Sequence, residues 1–339
     1  MRRSADPPPD PFGEHPRALR RARFTLLGAR FEFTTESAAL ERIVRRAYAG
    51  LPSQALPGAP RLSVRLTVTP AASGSATTPA AICPFAAPGI LGGASAGAGV
   101  TAVVPGSRSA LVAVPRKLLR RAYHVRYELV EFASYLLAAR TQKLLPLHAA
   151  CVGRGARGVL VCGASGAGKS TLALHCLVSG LDFLAEDSVL LEAGGLLATG
   201  VANFLHLRRD ALRFLPDRTL ARRLAAAALI QRRSGVRKLE IDLRRPGWRL
   251  AARPLRICAV IFLSAQRAAG SRLLVRLSRG QLLRRLEASQ RYAAQQPPWE
   301  AARERLGRLP AFELRRGRHP QQAVAALESL LGPQSPQRR

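Results

Sequence analysis

Apolar positions recur along this chain with two periods, and each predicts its own elements. Apolar residues from Phe24 to Phe33 predict a strand pair, or a strand and a turn, around Gly28, and Arg61-Leu-Ser-Val-Arg-Leu-Thr-Val alternates apolar and polar, the pattern of a half-buried strand. Between them Leu40, Ile43, Val44 and Ala47 fall three and four apart, which predicts an amphipathic helix over 36–48. Residues 70–106 carry Ala, Gly, Pro and Ser with little to bury, so a long loop is expected, with short strands at Ile82 or over 100–104. Ser109 to Val114 reads as a strand. Leu118 to Lys143 reads as a long helix with Val125, Leu129, Phe132, Ala133, Leu136 and Leu137 on one side, closed by Pro146.

The second half opens with two short apolar runs, Leu145 to Val152 and Val159 to Cys162, separated by the turn Gly153-Arg-Gly-Ala-Arg-Gly158. Strands this close must pair antiparallel, because a parallel crossover needs about a dozen residues or more; the core sheet is therefore expected to be mixed or antiparallel around the loop that follows. A helix from Thr171 that stops at Gly180 comes next, then the apolar run Leu181 to Glu192, interrupted by Glu186 and Asp187. Further elements are expected as a helix over 220–232, a strand over 236–243, and a buried strand from Ile257 to Leu263. Beyond these come a strand from Leu273, a helix over 281–288 capped by Ser278, a helix over 300–306, a strand over 311–314 and a closing helix over 320–331. The fold class is α/β with α+β character. A tail over 1–22 is expected to be unstructured, a small α+β unit to cover 23–115, a larger unit 116–332, and a second tail 333–339.

The densest chemistry lies in Gly163-Ala164-Ser165-Gly166-Ala167-Gly168-Lys169-Ser170-Thr171, which fits G-x-x-x-x-G-K-[ST] between a predicted strand and a predicted helix. Gly163, Gly166 and Gly168 let backbone N–H groups turn inward around a phosphate, and the helix opening at Lys169 adds its positive end. In such a loop Lys169 reaches the β- and γ-phosphates and the Ser170 hydroxyl holds Mg²⁺, so ATP and Mg²⁺ are the expected cofactors. Carboxylates inside an apolar run cost free energy unless paired or metal-bound, which points Glu186 and Asp187 at the same metal–phosphate site.

Composition sharpens this. Of the 53 basic residues only Lys117, Lys143, Lys169 and Lys238 are lysines; where arginine is written almost everywhere, a lysine stands where a compact ammonium is required. The formal charge of +32 attracts acidic partners at long range, and residues 208–256 hold the densest patch, with fifteen basic and four acidic residues. Aromatic residues make up 5% and do not interleave with the arginines, so specific nucleic-acid binding is not expected. Five cysteines form no C-x-x-C pair and read as small buried hydrophobes in a reducing compartment. No apolar run reaches the length of a membrane span, and the cytoplasm is the expected location.

Together these motifs resemble the catalytic domain of HPr kinase/phosphorylase, whose fold is similar to that of phosphoenolpyruvate carboxykinase. The resemblance covers roughly residues 145–192 well: a histidine on the strand before the loop, the hairpin, the Gly-x-Ser-Gly-x-Gly-Lys-Ser loop, the helix ending in glycine, and an acidic pair. His148 precedes Lys169 by 21 residues and Asp187 follows it by 18. The Pro-Leu-His-Ala-Ala form looks closer to the uncharacterised relatives of that enzyme. By this resemblance Asp187 is the base that takes the proton of an attacking hydroxyl, His148 stabilises charge or orients phosphate, and Glu186 helps hold Mg²⁺ or tunes Asp187. The chain departs from the family at Ala164, where Asp is usual, and at Glu186, where the pair is Asp-Asp. A further metal-binding Glu has no counterpart in Gly200-Val-Ala-Asn-Phe-Leu-His.

The expectation is an ATP- and Mg²⁺-dependent kinase acting on a hydroxyl of a protein, a peptide or a small molecule. Two alternatives stand beside it: a nucleotide-binding regulatory module without phosphotransfer, and a nucleic-acid-associated ATPase. Assembly as a homo-oligomer stays open. Lys238 could approach the transferred phosphate or be solvated, and the run from Arg232 to Lys238 could clamp phosphates or form an exposed basic loop. His175 and His206 read as structural or surface residues.

Overall fold

Alternating burial builds the first layer: in Arg61–Thr69 the side chains of Leu62, Val64 and Leu66 are buried and those between them face outward. The structure, a computed structural model, describes residues 18–70, 82–95, 99–232 and 235–332. Its first sheet comprises β1 (Arg20–Leu26), β2 (Ala29–Thr35), β3 (Arg61–Thr69), β4 (Cys83–Ala87), β5 (Ile90–Ser95), β6 (Gly99–Val104) and β7 (Ser109–Pro115), in the order β1-β2-β3-β7-β6-β5-β4. β2, β3 and β7 run parallel and the outer pairs antiparallel. The helix Ala38–Tyr48, capped by Ser37, shares a buried core with this sheet.

Three expectations change in this half. Much of the loop expected over 70–106 is the antiparallel meander β4 to β6, of which only β6 coincides with an expected short strand, that over 100–104; residues 71–81 and 96–98 lie outside the described residues. A Cβ at Gly92 would lie 2.1 Å from the Thr101 carbonyl oxygen, so β5 meets β6 through backbone and its own glycines give no alternation to read. The helix expected over 118–143 opens with a 3₁₀ turn, Arg116–Arg120, and runs over 122–141 with a π-type segment, Val125–Glu131, inside it. Its buried Val125, Leu129, Ala133 and Leu137 share the core of the first sheet. The tail expected over 1–22 overlaps β1, which begins at Arg20. Residues 1–17 and 333–339 lie outside the described residues.

Beyond the helix come β8 (Leu145–Leu147), β9 (Ala150–Arg154), β10 (Arg157–Cys162), β11 (Asp182–Ala185), β12 (Val189–Leu191) and β13 (Leu197–Thr199). They are followed by β14 (Phe204–Leu207), β15 (Ala228–Gln231), β16 (Arg237–Asp242), β17 (Leu255–Arg267), β18 (Leu274–Arg276) and β19 (Ala311–Arg316). β8 to β13 and β17 to β19 form a nine-stranded sheet, and β14 to β16 a small antiparallel one. β10 pairs antiparallel with β9, as its short connection requires, and parallel with β17, which is itself parallel to β19. The architecture is α/β with mixed sheets.

Both faces of the nine-stranded sheet are covered. Val159 and Val161 pack with the helices Lys169–Val178 and Pro320–Leu331, and Leu160 and Cys162 with Arg279–Ser289 and Trp299–Leu306. A strand buried on both faces shows a continuous apolar run, which is how β10 reads. The helix expected over 220–232 ends earlier: Asp217 caps Arg218–Ala225, and the residues that follow form β15. Pairing with β16 overrides the helix preference of an alanine-rich segment. Among the described cysteines Cys151, Cys162 and Cys176 are buried, whereas Cys83 is exposed. No helix among the described residues is long and apolar enough to cross a membrane.

Candidate active site

Two breaks in antiparallel strands face one another. The run expected as one strand over 145–152 is split at His148 and Ala149 into β8 and β9, and its neighbour is split at Glu186, Asp187 and Ser188 into β11 and β12. Leu147 pairs with Val189 on one side of the breaks and Cys151 with Ala185 on the other, so the interruptions lie at the same level of the sheet. The acidic pair therefore sits in a gap between strands, not within one, and the gap opens beside the loop that follows β10.

That loop is shaped by backbone dihedrals. Gly166 (φ 81°) and Gly168 (φ 105°) are left-handed, and a Cβ at either would meet open space; what excludes a side chain there is the backbone conformation. Gly168 is the N-cap of the helix Lys169–Val178 and supplies no side-chain cap, so the first N–H groups of the helix face the cleft without an intrahelical partner. An anion suits this place. Ala164, Ser165, Ser170 and Thr171 line the same cleft, of about 600 Å³. Gly163 and Ala167 act within the loop: the Gly163 carbonyl accepts from Lys169, and the Ala167 N–H donates to the Ala164 carbonyl at 3.1 Å.

Lys169, His148 and Asp187 form a chain of contacts. The Lys169 ammonium donates to the Gly163 carbonyl at 2.6 Å and lies 3.1 Å from His148 Nε2; His148 Nδ1 lies 3.2 Å from Asp187 Oδ1 and 3.1 Å from the Asp187 carbonyl. An ammonium can only donate, so Nε2 is the acceptor and the ring proton sits on Nδ1, where it donates to Asp187. Burial pushes the Lys169 pKa below the ordinary lysine value, with the Asp187 charge acting in the opposite sense. Asp187 keeps its side chain 39% exposed, open to anything entering the cleft.

Glu186 is buried and fully engaged. Oε1 accepts the Ser170 hydroxyl at 2.9 Å and lies 3.9 Å from the Lys238 ammonium, and Oε2 accepts the backbone N–H of His206 at 2.5 Å. A hydroxyl and a carboxylate in contact, with a second carboxylate next along the chain, make an oxygen-only donor set of the kind that suits a hard divalent cation retaining several waters. Among the described residues no group of three or more His, Cys, Asp or Glu side chains could hold a metal by itself, so any such cation would share its shell with water or phosphate. Lys238 is held at a lowered pKa, by burial first and then by Arg232, against the pull of Glu186.

Four residues that the sequence left undecided or passed over belong here. Lys238 and Arg232 line the cleft, as does His206, whose backbone anchors Glu186 and whose Nε2 lies 3.4 Å from Glu240. Gln290, at the C-cap of Arg279–Ser289, holds the backbone of His148. For His206 the signal was its place at the end of Gly200-Val-Ala-Asn-Phe-Leu-His, the stretch without the third carboxylate; for Gln290, remote in sequence, there was none. His175 is fully buried on the helix that follows the loop, with its ring 5.6 Å from that of His319.

No protein family matches this chain, and no curated protein matches it in sequence. Among solved structures it is similar to the Hpr(Ser) kinase/phosphatase from Coxiella burnetii, at 15% identity and a TM-score of 0.26, over 54% of this chain and 93% of that one. A likeness of that size carries no functional argument.

Proposed function

We propose that this protein is an ATP- and Mg²⁺-dependent phosphotransferase that moves the γ-phosphoryl group to a hydroxyl acceptor. The observation that carries the proposal is the single imidazole of His148 bridging Lys169 and Asp187, at 3.1 and 3.2 Å. One contact belongs to the group that would hold the terminal phosphates and the other to a carboxylate that could take a proton. Phosphoryl transfer asks a protein for little covalent chemistry; it asks for position and charge.

In this reading the helix N-terminus and the N–H groups of 166–170 bind the phosphates, and Lys169 swings from the Gly163 carbonyl to the β- and γ-oxygens. Ser170 and Glu186, with Asp187 beside them, would hold Mg²⁺, which neutralises charge on the phosphate oxygens. Asp187 accepts the proton of the acceptor hydroxyl as its oxygen bonds to the γ-phosphorus and the bond to the β–γ bridging oxygen breaks, releasing ADP. His148 keeps the carboxylate aimed through its Nδ1–H. Arg232 and Lys238 add positive charge on the far wall.

Purified protein incubated with Mg²⁺ and γ-labelled ATP should pass label to a hydroxyl compound. Lys169→Ala and Asp187→Asn should each abolish this. Transfer that survives both changes rules the assignment out, and tight ATP binding without turnover across a panel of hydroxyl acceptors would favour the regulatory module instead.

A further inference from the structure

Asp187 and Glu186 are walls of two cavities. One is the glycine-loop cleft; the other, of about 250 Å³, adjoins it, shares His206 and Arg232 with it as well, and is otherwise lined by Tyr127, Phe132 and Tyr135 from the helix over 122–141, by Phe204 from β14, and by Leu27 and Val201. Resting on the phosphotransferase reading above, we propose that this second chamber is the acceptor site, and that the acceptor is a small hydroxy acid with an apolar body rather than a protein serine.

The polar groups in the chamber are nearly all engaged. Tyr135 donates to the Val189 carbonyl at 3.2 Å, Asn203 donates to Glu131 at 2.9 Å, and the Tyr127 hydroxyl accepts from Arg232 Nη1 at 3.0 Å. What remains is an apolar wall, the partly exposed Asp187 carboxylate, and Arg232, whose buried Nε has no hydrogen-bond partner among the described residues. An orphaned guanidinium N–H beside an apolar chamber matches a carboxylate on the ligand, and the shared Asp187 wall matches a hydroxyl presented toward the loop. The volume lies just below the roughly 300–1,000 Å³ usual for drug-sized ligands, which suits one small molecule and not a folded segment of another protein. Tyr127, Phe132 and Arg232 also line an outer cleft of about 470 Å³ reaching Ile82 and Pro84, which gives the chamber its mouth.

The acceptor hydroxyl gives its proton to Asp187 as its oxygen forms the new P–O bond, and ADP leaves on the side of the loop. Two groups then set specificity: Val201 by volume and Arg232 by charge.

The probe is 3-phenyllactate, which combines ring, hydroxyl and carboxylate, compared with lactate, which lacks the ring, and a short serine peptide. Binding to the full chain is followed by ligand-observed NMR, with Mg²⁺–ADP binding on the same samples reporting an intact loop cleft. Phenyllactate should bind at least tenfold more tightly than lactate. Val201→Trp, which fills the chamber, should weaken phenyllactate at least tenfold while ADP still binds; Arg232→Gln, at a residue that lines both cavities, should weaken phenyllactate by a larger factor than it weakens ADP. Phenyllactate that binds and is never phosphorylated by Mg²⁺–ATP would overturn the phosphotransferase reading and leave the chamber standing. Phosphorylation of the peptide at full rate by Val201→Trp, with no phenyllactate binding to the unaltered protein, would overturn the chamber and leave the phosphotransferase.

Discussion

Gln290 clamps His148 by both of its backbone polar groups: the amide Oε1 accepts the His148 N–H at 2.8 Å, and Nε2 donates to the His148 carbonyl at 3.1 Å. His148 stands in a break between strands, where ladder hydrogen bonds are missing, and a side chain 142 residues away replaces them. Gln290 is itself buried, so its amide has little water to exchange with. Gln290→Leu should therefore leave two backbone groups unsatisfied, with a stability loss of about 1–3 kcal/mol in urea unfolding. The imidazole would lose its fixed position and transfer should fall by up to about 100-fold. A variant with full activity would mean that the clamp serves folding alone.

Asp187 and His148 separate by role. Asp187→Asn keeps size and hydrogen bonding and removes the proton acceptor, so the transfer rate should drop by about 10²–10⁴ while ADP affinity stays within a fewfold. His148→Gln retains a donor toward Asp187 but loses the ring that also meets Lys169, and should cost less. Single-turnover transfer beside equilibrium ADP titration separates chemistry from binding; equal losses in both would argue against a base at Asp187.

Glu186→Gln keeps an oxygen for the His206 N–H, turns its amide NH2 toward the Ser170 hydroxyl oxygen, and deletes the charge beside Lys238. The Mg²⁺ concentration for half-maximal activity should rise about 10- to 100-fold, judged by the effect of losing groups that tune metal sites. Nucleotide binding without Mg²⁺ should be unchanged. An unchanged Mg²⁺ requirement would remove Glu186 from the metal shell.

Arg126 is 1% exposed, pairs with Glu131 and Glu240, and lies 4.1 Å over the Phe204 ring. Through these contacts it ties the helix over 122–141 to β14 and β16, which carry His206 and Lys238. Arg126→Met removes the buried cation that Glu131 and Glu240 share, leaving Glu240 only one arginine contact, Arg46 at 3.4 Å, and should destabilise by about 3–5 kcal/mol. Burial alone would raise the pKa of Glu240, but the His206 hydrogen bond and the Arg126 charge outweigh it and hold the group below its ordinary value of 4.5. A carboxyl whose folded pKa is depressed stabilises the fold above its unfolded pKa, and that contribution is lost as pH falls through the folded value. Stability should thus decline below about pH 4.5, and Glu240→Gln should flatten that part of the profile.

Local patterns were legible where side chains alternate or recur along one face, as in Arg61–Thr69 and the helix Ala38–Tyr48, and where a turn residue is obligatory, as at Gly168. They were not legible where backbone does the pairing: β5 is built on Gly92 and Gly93 and looked like a loop, whereas its partner β6 falls where a short strand over 100–104 was expected. Nor does local sequence report a partner far along the chain. β15 looked helical because its alanine-rich lead-in says nothing of β16, and Gln290 and Arg126 have no signature, because what each does depends on groups more than 100 residues away. The break at Glu186 and Asp187 was half legible: two carboxylates in an apolar run marked the place, but only pairing shows that it faces the break at His148.

The central claim is that a triphosphate lies on the glycine loop with its terminal phosphorus toward Asp187. A structure of the protein with Mg²⁺ and a non-hydrolysable ATP analogue tests it most directly. The β- and γ-phosphates should lie on the N–H groups of 166–170 with Lys169 turned outward to them, and Asp187 within about 6 Å of the γ-phosphorus, the span of one intervening hydroxyl. Phosphates bound elsewhere, or a γ-phosphorus beyond reach of Asp187 with the loop occupied, would contradict it.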